Sequence, residues 1–316
     1  MKLHKLQIIT ALAILTFFSF CSCKQKPKEK NITVSGAFAL YPLTVKWAEE
    51  YQKLHPEITI DVSAGGAGKG MTDVLSGMVD LAMFSRTVSP EEIKKGAWSI
   101  SVSRDAVVPT INSSNPFIET IMKQGLTRAQ FTDIYVTAKI TFWNQLIPSA
   151  KADKINIFTR SDACGAAEMW AKFLGSNQET LAGTGVFGDP GIADAVKSDK
   201  MGIGYNNVIY AYDTRSRKPY DGINVIPIDI NSNGLIDADE NLYGTLDEIM
   251  KAIAEDKFPS PPARDLYLIS NGKPAKKATT DFLNWILSEG QKFVHEAGYV
   301  ALKAEIVKEQ KVKISN

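Results

Sequence analysis

The chain has 316 residues, of which 22% are charged and 44% are hydrophobic, and this composition suits one or two globular domains with a large core. If residues 1–22 are removed as an export signal, Lys2 and Lys5 are lost, 34 basic residues face 35 acidic ones, and the formal net charge is −1. So little charge bias gives no reason to expect nucleic-acid binding. Beyond that segment the only histidines are His55 and His295, so no zinc cluster or Ser/His/Asp arrangement can be proposed and we expect no enzyme.

The N-terminal segment has the form of an export signal. A basic start at Met1–Lys5 precedes an apolar run, residues 8–20, that is too short to span a bilayer comfortably. A small residue, Ser22, precedes Cys23, and a charged stretch, residues 24–30, follows it. This order resembles a bacterial lipoprotein signal. That resemblance implies a signal peptide over residues 1–22, lipidation of Cys23, and a tether over residues 23–30 that holds an exported protein to the membrane, facing the periplasm or cell surface. Plain cleavage and an uncleaved anchor are the alternatives.

Strands and helices alternate in the next part of the chain. Residues 32–35, 58–62 and 79–83 are predicted strands, and the apolar spacing after the first two predicts helices. This alternation predicts an α/β fold, a sheet with helices on both faces.

A glycine run, residues 64–70, follows the second predicted strand. It is not a phosphate-cradling P-loop, because Ser63 stands where the first glycine is needed and Gly70 follows Lys69 in place of Ser or Thr. Two readings stay open: a turn whose amides approach a small anion near Lys69, and a tight turn that needs positive φ angles.

The stretch most suggestive of a binding site is residues 159–166, TRSDACGA. It lies between an apolar predicted strand, residues 155–158, and a helix with apolar residues at helical spacing. The free amides at the start of such a helix favour an anion, and Arg160 adds a forked, permanently charged donor. The alternative is an ordinary capped helix with Arg160 in a surface ion pair.

A second motif, residues 229–240, fits the calcium-loop pattern D-x-[DN]-x-[DN]-G-x5-E at every defined position. It follows a predicted strand, so we expect a single structural calcium site and not a helix–loop–helix sensor. A polar turn without metal is the alternative. The predicted ligands are Asp229, Asn231, Asn233, the carbonyl of Leu235, Asp237 and Glu240.

The last part of the chain is predicted to contain a strand, residues 265–270, and a long amphipathic helix that carries Phe282 and Trp285. The polar, charge-rich residues 303–316 are predicted to form a loosely packed tail.

Several separated pieces of the chain resemble one family, the phosphate-binding proteins of bacterial ABC phosphate importers. They follow in the family's order and span nearly the whole mature chain; they are residues 36–43, 64–70 with 79–81, 126–134 with 139–143, 160–165, 203–205 and 281–302. The resemblance implies a two-lobed periplasmic-binding-protein-like (type II) fold, each lobe a mixed sheet flanked by helices. Residues 31–109 and 265–316 would form lobe I and residues 110–264 lobe II, with the crossings near Val108–Asn112 and Ala263–Leu268.

The resemblance also implies a function and a set of partners. The protein would be a lipid-anchored monomer that captures phosphate or a related oxyanion between its lobes and delivers it to the membrane subunits of an ABC permease. The alternative is a binding fold with a degenerate site that acts as a surface interaction or sensory module.

The family's ligand positions carry over to this sequence one by one. They fall on Phe38, Ala39, Ala67, Ser85, Arg86, Arg160, Cys164, Gly165 and Ala166. Arg160 is retained and Asp162 is placed to hold it. Phe38, Ala67, Cys164 and Ala166 stand where the family has hydroxyls, and Ser85 stands where it has an aspartate that accepts a proton from the ligand.

These differences have physical consequences for an anion site. Each lost hydroxyl removes a hydrogen bond worth about 1 kcal/mol. Loss of the acid is expected to relax discrimination against fully deprotonated anions such as sulfate. An open crevice with Arg160 turned inward is what anion capture requires, whereas a crevice filled by Phe38 or lined by acids would argue against it.

Overall fold

The computed structural model describes residues 30–316. The predictions for the export signal, for lipidation of Cys23 and for most of the tether fall on residues 1–29 and lie outside the described residues. Within residues 30–316, no helix combines the length and the apolar character needed to cross a membrane.

The first elements form a parallel group of strands with helices between them. In chain order they are β1 (Asn31–Gly36), a 3-10 turn (Phe38–Leu40), α1 (Tyr41–Leu54), β2 (Thr59–Ala64), α2 (Ala67–Leu75), β3 (Leu81–Phe84), α3 (Pro90–Lys94) and β4 (Ala97–Asn112). β1 lies between β2 and β3 and is parallel to both. In α1, Leu43, Trp47 and Tyr51 recur every four residues and are buried, so this face fixes the helix on the sheet.

The middle of the chain adds a second set of elements. They are α4 (Ile118–Gln124), β5 (Leu126–Thr127), α5 (Arg128–Tyr135), a 3-10 turn (Trp143–Gln145), β6 (Asn156–Arg160), α6 (Gly165–Phe173), a 3-10 turn (Gln178–Thr180), β7 (Thr184–Val186), α7 (Gly188–Ser198), β8 (Gly202–Asn207), α8 (Val208–Ala211), β9 (Ile223–Val225), β10 (Ile228–Asp229) and α9 (Leu246–Ala254).

The chain then returns through β11 (Ala263–Asn271), α10 (Lys277–Ile286), a 3-10 turn (Glu289–Phe293) and α11 (Ala304–Ser315). The prediction of a loosely packed tail was wrong. α11 buries Ile314, and Gln310 accepts a hydrogen bond from the Ser101 amide at 3.1 Å. The high charge of this segment hid a short apolar face that contains Val307 and Ile314, two turns apart. Ile314 is buried and Val307 is partly buried against the same core.

Nine of the described strands join into one mixed sheet in the order β2-β1-β3-β11-β4-β8-β6-β7, with β9 also paired to β4, while β5 and β10 form a separate two-stranded sheet. β4 is 16 residues long and serves both halves of this sheet. Its first part pairs with β11, and Val107–Asn112 pairs with β8 and β9. The predicted α/β fold with a mixed sheet flanked by helices is confirmed.

Two separate clusters of buried apolar side chains lie on either side of this crossing. The cluster around Trp47 and Phe282 defines what we call the first lobe, and the cluster around Phe131 and Trp170 defines the second lobe. On β4 and β11 the change from one cluster to the other falls near Ala106 and Ala263. The two lobes therefore meet along a cleft whose floor is made by these two strands.

Candidate ligand site between the two lobes

Arg160, the last residue of β6, lies at the centre of the cleft. The Tyr205 hydroxyl on neighbouring β8 accepts a hydrogen bond from the Arg160 amide at 3.1 Å and lies 2.8 Å from the Thr159 hydroxyl. These contacts fix the end of the strand. The Arg160 side chain is 1% exposed, so it is directed into the protein as an anion site requires.

Two carboxylates surround the Arg160 guanidinium. Nε and Nη2 donate to the two oxygens of Asp162 at 2.7 and 2.6 Å, and Nη1 donates to Asp189 Oδ2 at 2.5 Å. Burial works against the charged form, but Asp189 and Asp162 raise the pKa of Arg160 above its ordinary value. A guanidinium has five N–H bonds, so three point to carboxylates and two remain for another acceptor. One cation facing two acids leaves this cluster with a negative formal charge.

Asp189 is held firmly in this position. It lies in the first turn of α7 and is 1% exposed. Its Oδ1 accepts a hydrogen bond from the Asn207 amide at 3.0 Å, and its carbonyl accepts one from Asn206 Nδ2 at 2.9 Å. Both partners lie at the end of β8, so the sheet positions this carboxylate.

The first lobe covers Arg160 with the ring of Phe38. Arg160 Cζ lies 5.5 Å from the ring centroid, and the ring also packs edge-on against Phe187 of the second lobe. The Phe38 carbonyl accepts a hydrogen bond from the Tyr210 hydroxyl at 3.1 Å. Phe38 is therefore attached to the second lobe by its ring, and its backbone is held by α8, which packs against both clusters.

The start of α6 closes the cleft on its other side. Cys164 caps the helix, and its Sγ accepts a hydrogen bond from the Ala167 amide at 3.4 Å. Gly165 lies directly against the first lobe, since a Cβ at this position would be 2.2 Å from the Ser85 carbonyl oxygen. The first amides of a helix have no acceptor within it, so those of Gly165 and Ala166 are available at this point.

The structure brings most of the predicted ligand positions into one cavity. It is lined by Ala37, Phe38, Ala39, Ala67, Ser85, Arg160, Cys164, Gly165, Ala166, Asp189 and Asn207. The side chains meet so closely that the cavity has no room for a water molecule.

Arg86 does not belong to this cavity. It forms two hydrogen bonds with Glu92 at 2.9 and 2.6 Å, and its Nε lies 2.9 Å from Glu168 of the second lobe. It lines a separate cavity of about 330 Å³ at the edge of the cleft, together with Glu168 and Lys172. Lys69 is paired with Asp73 and does not line the central cavity either.

Asp189 and Asn207 are the polar lining residues that the sequence interpretation missed. Asp189 lies in a segment, residues 185–190, that the sequence suggests is only a loop before a helix. Nothing in the sequence pairs Asp189 with a strand end 29 residues earlier. Arg160 is turned inward, as anion capture requires. Phe38 and Asp189 fill the crevice, however, which is the arrangement that argues against anion capture.

A buried ionic network connects this site to the crossing strands. Arg264 on β11 donates to both oxygens of Asp105 on β4 at 2.9 and 3.2 Å. It also donates to the Gly165 carbonyl at 2.8 Å and to the side-chain oxygen of Asn207. Burial raises the pKa of Asp105 to about 6, with Arg264 opposing the rise. Arg264 thus ties the floor of the cleft to the start of α6 and to the residue that positions Asp189.

The predicted calcium loop follows β10, whose pairing with β5 fixes its start. Asp229 accepts hydrogen bonds from the amides of Asn233 and Gly234 at 3.2 and 2.9 Å, and Glu240 accepts from those of Ile230 and Asn231, both at 2.9 Å.

The remaining polar side chains of the loop converge on Asp237. Its Oδ2 accepts from the side-chain amides of Asn231 and Asn233 at 2.9 and 2.8 Å. Leu235, the predicted carbonyl ligand, is exposed. No group of three or more His, Cys, Asp or Glu side chains with a metal-holding arrangement occurs among residues 30–316.

The fold and the site together define a two-lobed binding protein, and comparison with known proteins gives the family. The chain belongs to the PBP superfamily, because the profile of the PBP superfamily domain matches residues 24–290. This confirms the resemblance inferred from the sequence.

Curated relatives cover almost the whole chain. The phosphate-binding protein PstS of Methanocaldococcus jannaschii is 28% identical, over 91% of this chain and 86% of the relative. Protein SphX of Synechococcus elongatus is 24% identical, over 96% of this chain and 87% of the relative.

Solved structures of similar shape agree on the fold. A structure from Clostridium perfringens with bound phosphate has a TM-score of 0.70 at 21% identity, covering 86% of this chain and 100% of that chain. An ABC-type phosphate transport receptor from Vibrio cholerae has a TM-score of 0.62 at 21% identity, with the same coverage. The two-lobed type II fold of the sequence analysis is thereby confirmed.

Proposed function

We propose that this protein is the solute-binding component of an ABC importer and captures phosphate or a related oxyanion between its lobes. The observation that carries the proposal is the buried guanidinium of Arg160, which lies between the lobes next to the first turn of α6. Curated relatives that cover most of the chain are phosphate-binding proteins by name. These names describe binding, so we propose a binding protein and not an enzyme. Such a protein works outside the cytoplasm and hands its ligand to the permease subunits.

The donors available to an anion come from both lobes. The second lobe offers the two remaining N–H bonds of Arg160 and the first-turn amides of Gly165 and Ala166. The first lobe offers the hydroxyl of Ser85. Main-chain amides and a guanidinium suit an oxyanion because each donates and none can be deprotonated at neutral pH.

Ligand entry requires the cleft to open, because the closed cavity is full. Contacts that must break include the Gly68 amide to the Ala163 carbonyl at 3.2 Å, the Tyr210 hydroxyl to the Phe38 carbonyl, and the ion pair of Arg86 with Glu168. These three contacts are polar, and the ring of Phe38 must in addition leave Arg160 and Phe187. Opening is therefore a modest rearrangement of the kind that ligand binding drives in hinged proteins.

Calorimetric titration of the purified protein with phosphate tests the proposal. We expect micromolar or tighter binding that is lost in Arg160→Gln, because the amide side chain has neither the charge nor the fork. Arg215→Gln is the matched control, since Arg215 is exposed and lies outside the cavity. Arg160→Lys keeps a positive charge beside Asp162 and Asp189, so the variant should stay folded. It therefore serves as a second test in case Arg160→Gln loses binding only because it unfolds. Equal phosphate affinity in all four proteins would refute the proposal.

A second candidate function is favoured by the filled, acidic cleft. With Phe38 over Arg160 and two carboxylates on its guanidinium, the protein has the features of a binding fold that serves as a surface interaction or sensory module. The same titration separates the two functions. Absence of binding of phosphate, sulfate and small organic anions at millimolar concentration would favour the module.

We further propose that the protein is a lipoprotein anchored through Cys23, on the basis of the N-terminal sequence. Cys23→Ser should release the protein from the membrane fraction of an expressing bacterium, whereas Cys164→Ser should not. Equal membrane retention of both variants would contradict the proposal.

We also propose that residues 229–240 bind a structural calcium ion. Support comes from the complete sequence motif and from the backbone amides of the loop, which hold the carboxylates of Asp229 and Glu240 in place. Rotation of the Asn231 and Asn233 side-chain amides would present their oxygens in place of the nitrogens that now face Asp237. The ion would replace those donors and join β10 to the rest of the second lobe.

A further inference from the structure

A second cavity lies directly beside the central one. It has a volume of about 330 Å³ and takes its lining from both lobes, with Gly68 and Arg86 from the first and Glu168 and Lys172 from the second. We call it the outer cavity. We propose that it holds the organic group of a phosphate monoester whose phosphate occupies the central cavity, and that this group carries hydroxyls. This inference rests on the proposed function, whose inorganic ligand needs only the space around Arg160.

The two cavities meet at small residues. Cys164 lines both of them, and Ala67 of the central cavity is followed directly by Gly68 of the outer one. Across the cleft, the Gly68 amide donates to the Ala163 carbonyl at 3.2 Å, and a Cβ added to Gly68 would lie 3.0 Å from the Ala163 Cβ. This contact joins opposite lobes and parts when the cleft opens. An opened cleft therefore connects the two cavities at this point.

The side chains at this boundary suit an ester oxygen better than an anionic one. Ala67 has no polar side-chain atom, and the Cys164 thiol is a weak donor whose Sγ already accepts from the Ala167 amide at 3.4 Å. An anionic phosphate oxygen against these side chains gains no strong hydrogen bond from them. A bridging ester oxygen carries no charge and accepts hydrogen bonds weakly, so it loses little there.

The outer cavity is held at a fixed position relative to Arg160. Gln178 lines it, and both ends of the Gln178 amide are occupied: Oε1 accepts from the Cys164 amide at 3.2 Å, and Nε2 donates to the Asp162 carbonyl at 2.8 Å. The turn after α6 is thereby fastened to the loop that follows Arg160. A single ligand that spans both cavities needs such a fixed spacing.

The charged residues of the outer cavity largely neutralise one another. Arg86 pairs with Glu92 at 2.6 Å and with Glu168 at 2.9 Å, and Lys172 pairs with Glu168 at 2.6 Å. With Glu179, the lining carries two cations and two anions and no net formal charge. Carboxylates accept hydrogen bonds, while ammonium and guanidinium groups donate them, and a hydroxyl makes both kinds of bond. A hydroxyl-bearing group therefore fits this lining better than a hydrocarbon or a second anion.

The size of the outer cavity agrees with a small organic group. Small-molecule sites in proteins have volumes of about 300–1,000 Å³, and the outer cavity lies at the lower end of this range. Together with the central cavity it provides room for the phosphate of a short polyol and not for a large nucleotide or lipid.

Calorimetric titration with inorganic phosphate, methyl phosphate and sn-glycerol 3-phosphate tests the inference. The two esters carry the same charge and the same bridging oxygen, and they differ in the hydroxyl-bearing group. We expect glycerol 3-phosphate to bind about tenfold more tightly than methyl phosphate, because its hydroxyls reach the outer cavity. Equal or weaker binding of glycerol 3-phosphate would overturn the inference.

Asn177→Trp tests whether the outer cavity is where the esters differ. Asn177 lines this cavity, is exposed and precedes the 3-10 turn Gln178–Thr180, so an indole there should fill the cavity without disturbing the fold. We expect the affinity for glycerol 3-phosphate to fall about tenfold relative to the affinity for inorganic phosphate. Asn144→Trp is the matched control, since Asn144 is exposed in the 3-10 turn Trp143–Gln145 and lines neither cavity. It should leave both affinities unchanged.

The other outcomes separate this inference from the proposed function. If inorganic phosphate binds and glycerol 3-phosphate does not, the inference falls while the proposed function stands. If none of the three compounds binds at millimolar concentration, both fall. Equal weakening of both ligands by Asn177→Trp would show that glycerol 3-phosphate does not use the outer cavity, and the inference would be wrong. If Asn177→Trp does not fold, the comparison of the two esters on the unmodified protein decides the question.

Discussion

The ring of Phe38 lies over the guanidinium of Arg160, with 5.5 Å between Arg160 Cζ and the ring centroid, and the two residues belong to different lobes. The contact joins the lobes at the point where the ligand is expected to bind. A ligand must therefore replace an interaction that the closed protein already makes with itself. Cation–π contacts of this kind are worth about 0.5–2 kcal/mol.

Phe38→Ala should increase phosphate affinity about five- to tenfold, because it empties the cavity and removes the competing contact with Arg160. Calorimetric titration measures the change. Phe142→Ala, which removes an exposed phenylalanine of the second lobe, should have no effect. Weaker phosphate binding in Phe38→Ala would show instead that the ring seals the site over the bound ligand.

The ion pair between Arg86 and Glu168 should hold the lobes together. Its atoms lie 2.9 Å apart and both side chains are partly exposed, so the pair is worth at most about 1 kcal/mol. Arg86→Gln should therefore raise the rate at which the cleft opens by about two- to fivefold. Hydrogen exchange of the amides at the start of α6 reports this opening.

Glu168 also pairs with Lys172 within α6, at 2.6 Å. Lys172→Gln removes a salt bridge from the same glutamate without touching the first lobe, and it should leave the exchange rates unchanged. If both variants accelerate exchange equally, the contact across the cleft has no special role.

Cys164 should react slowly with alkylating reagents. Burial raises the pKa of its thiol to about 12, with Arg160 opposing the rise, and only the thiolate reacts. At pH 8 we expect alkylation at least a hundredfold slower than in denaturant, measured by mass spectrometry on the peptide that contains Cys164. Because the folded state holds the thiol protonated while the unfolded chain ionises near its ordinary value of about 8.5, this group's contribution to stability is lost as pH rises above that value. Rapid alkylation in the native protein would show that the cleft is mostly open.

Calcium should raise the melting temperature of the protein, because it binds the folded loop and not the unfolded chain. Glu240→Gln retains an acceptor for the Ile230 and Asn231 amides but loses the charge, so the calcium-dependent rise should disappear. Asp221→Ala removes an exposed acid from another loop of the second lobe and should preserve the rise. An equal shift in all three proteins would rule out a specific site in this loop.

The sequence was most informative where local chemistry and spacing determine structure. The strand end at Arg160 and the helix after it involve residues within a few positions of one another and were predicted from local spacing, whereas the pairing of Arg160 with Asp162 was implied by the family resemblance. The glycine at position 165 also marks a close approach, here to Ser85 of the other lobe.

The features of the site that the sequence did not predict depend on contacts between residues far apart in the chain. Asp189 contacts Arg160 only because α7 and β8 place it beside the end of β6. Arg86 lies outside the central cavity because it pairs with Glu168 of the second lobe. Charge pairing across a cleft has no periodicity along the chain.

β4 passes between the lobes without a break, and its backbone pairing continues on both sides of the crossing. A shared strand of this kind bends while its ladder of main-chain bonds remains intact, so separating the lobes breaks the contacts across the cleft and not the pairing of the sheet. A bend of this kind costs little free energy, so in the proposed function the binding of a single ion is enough to favour the closed form over the open one.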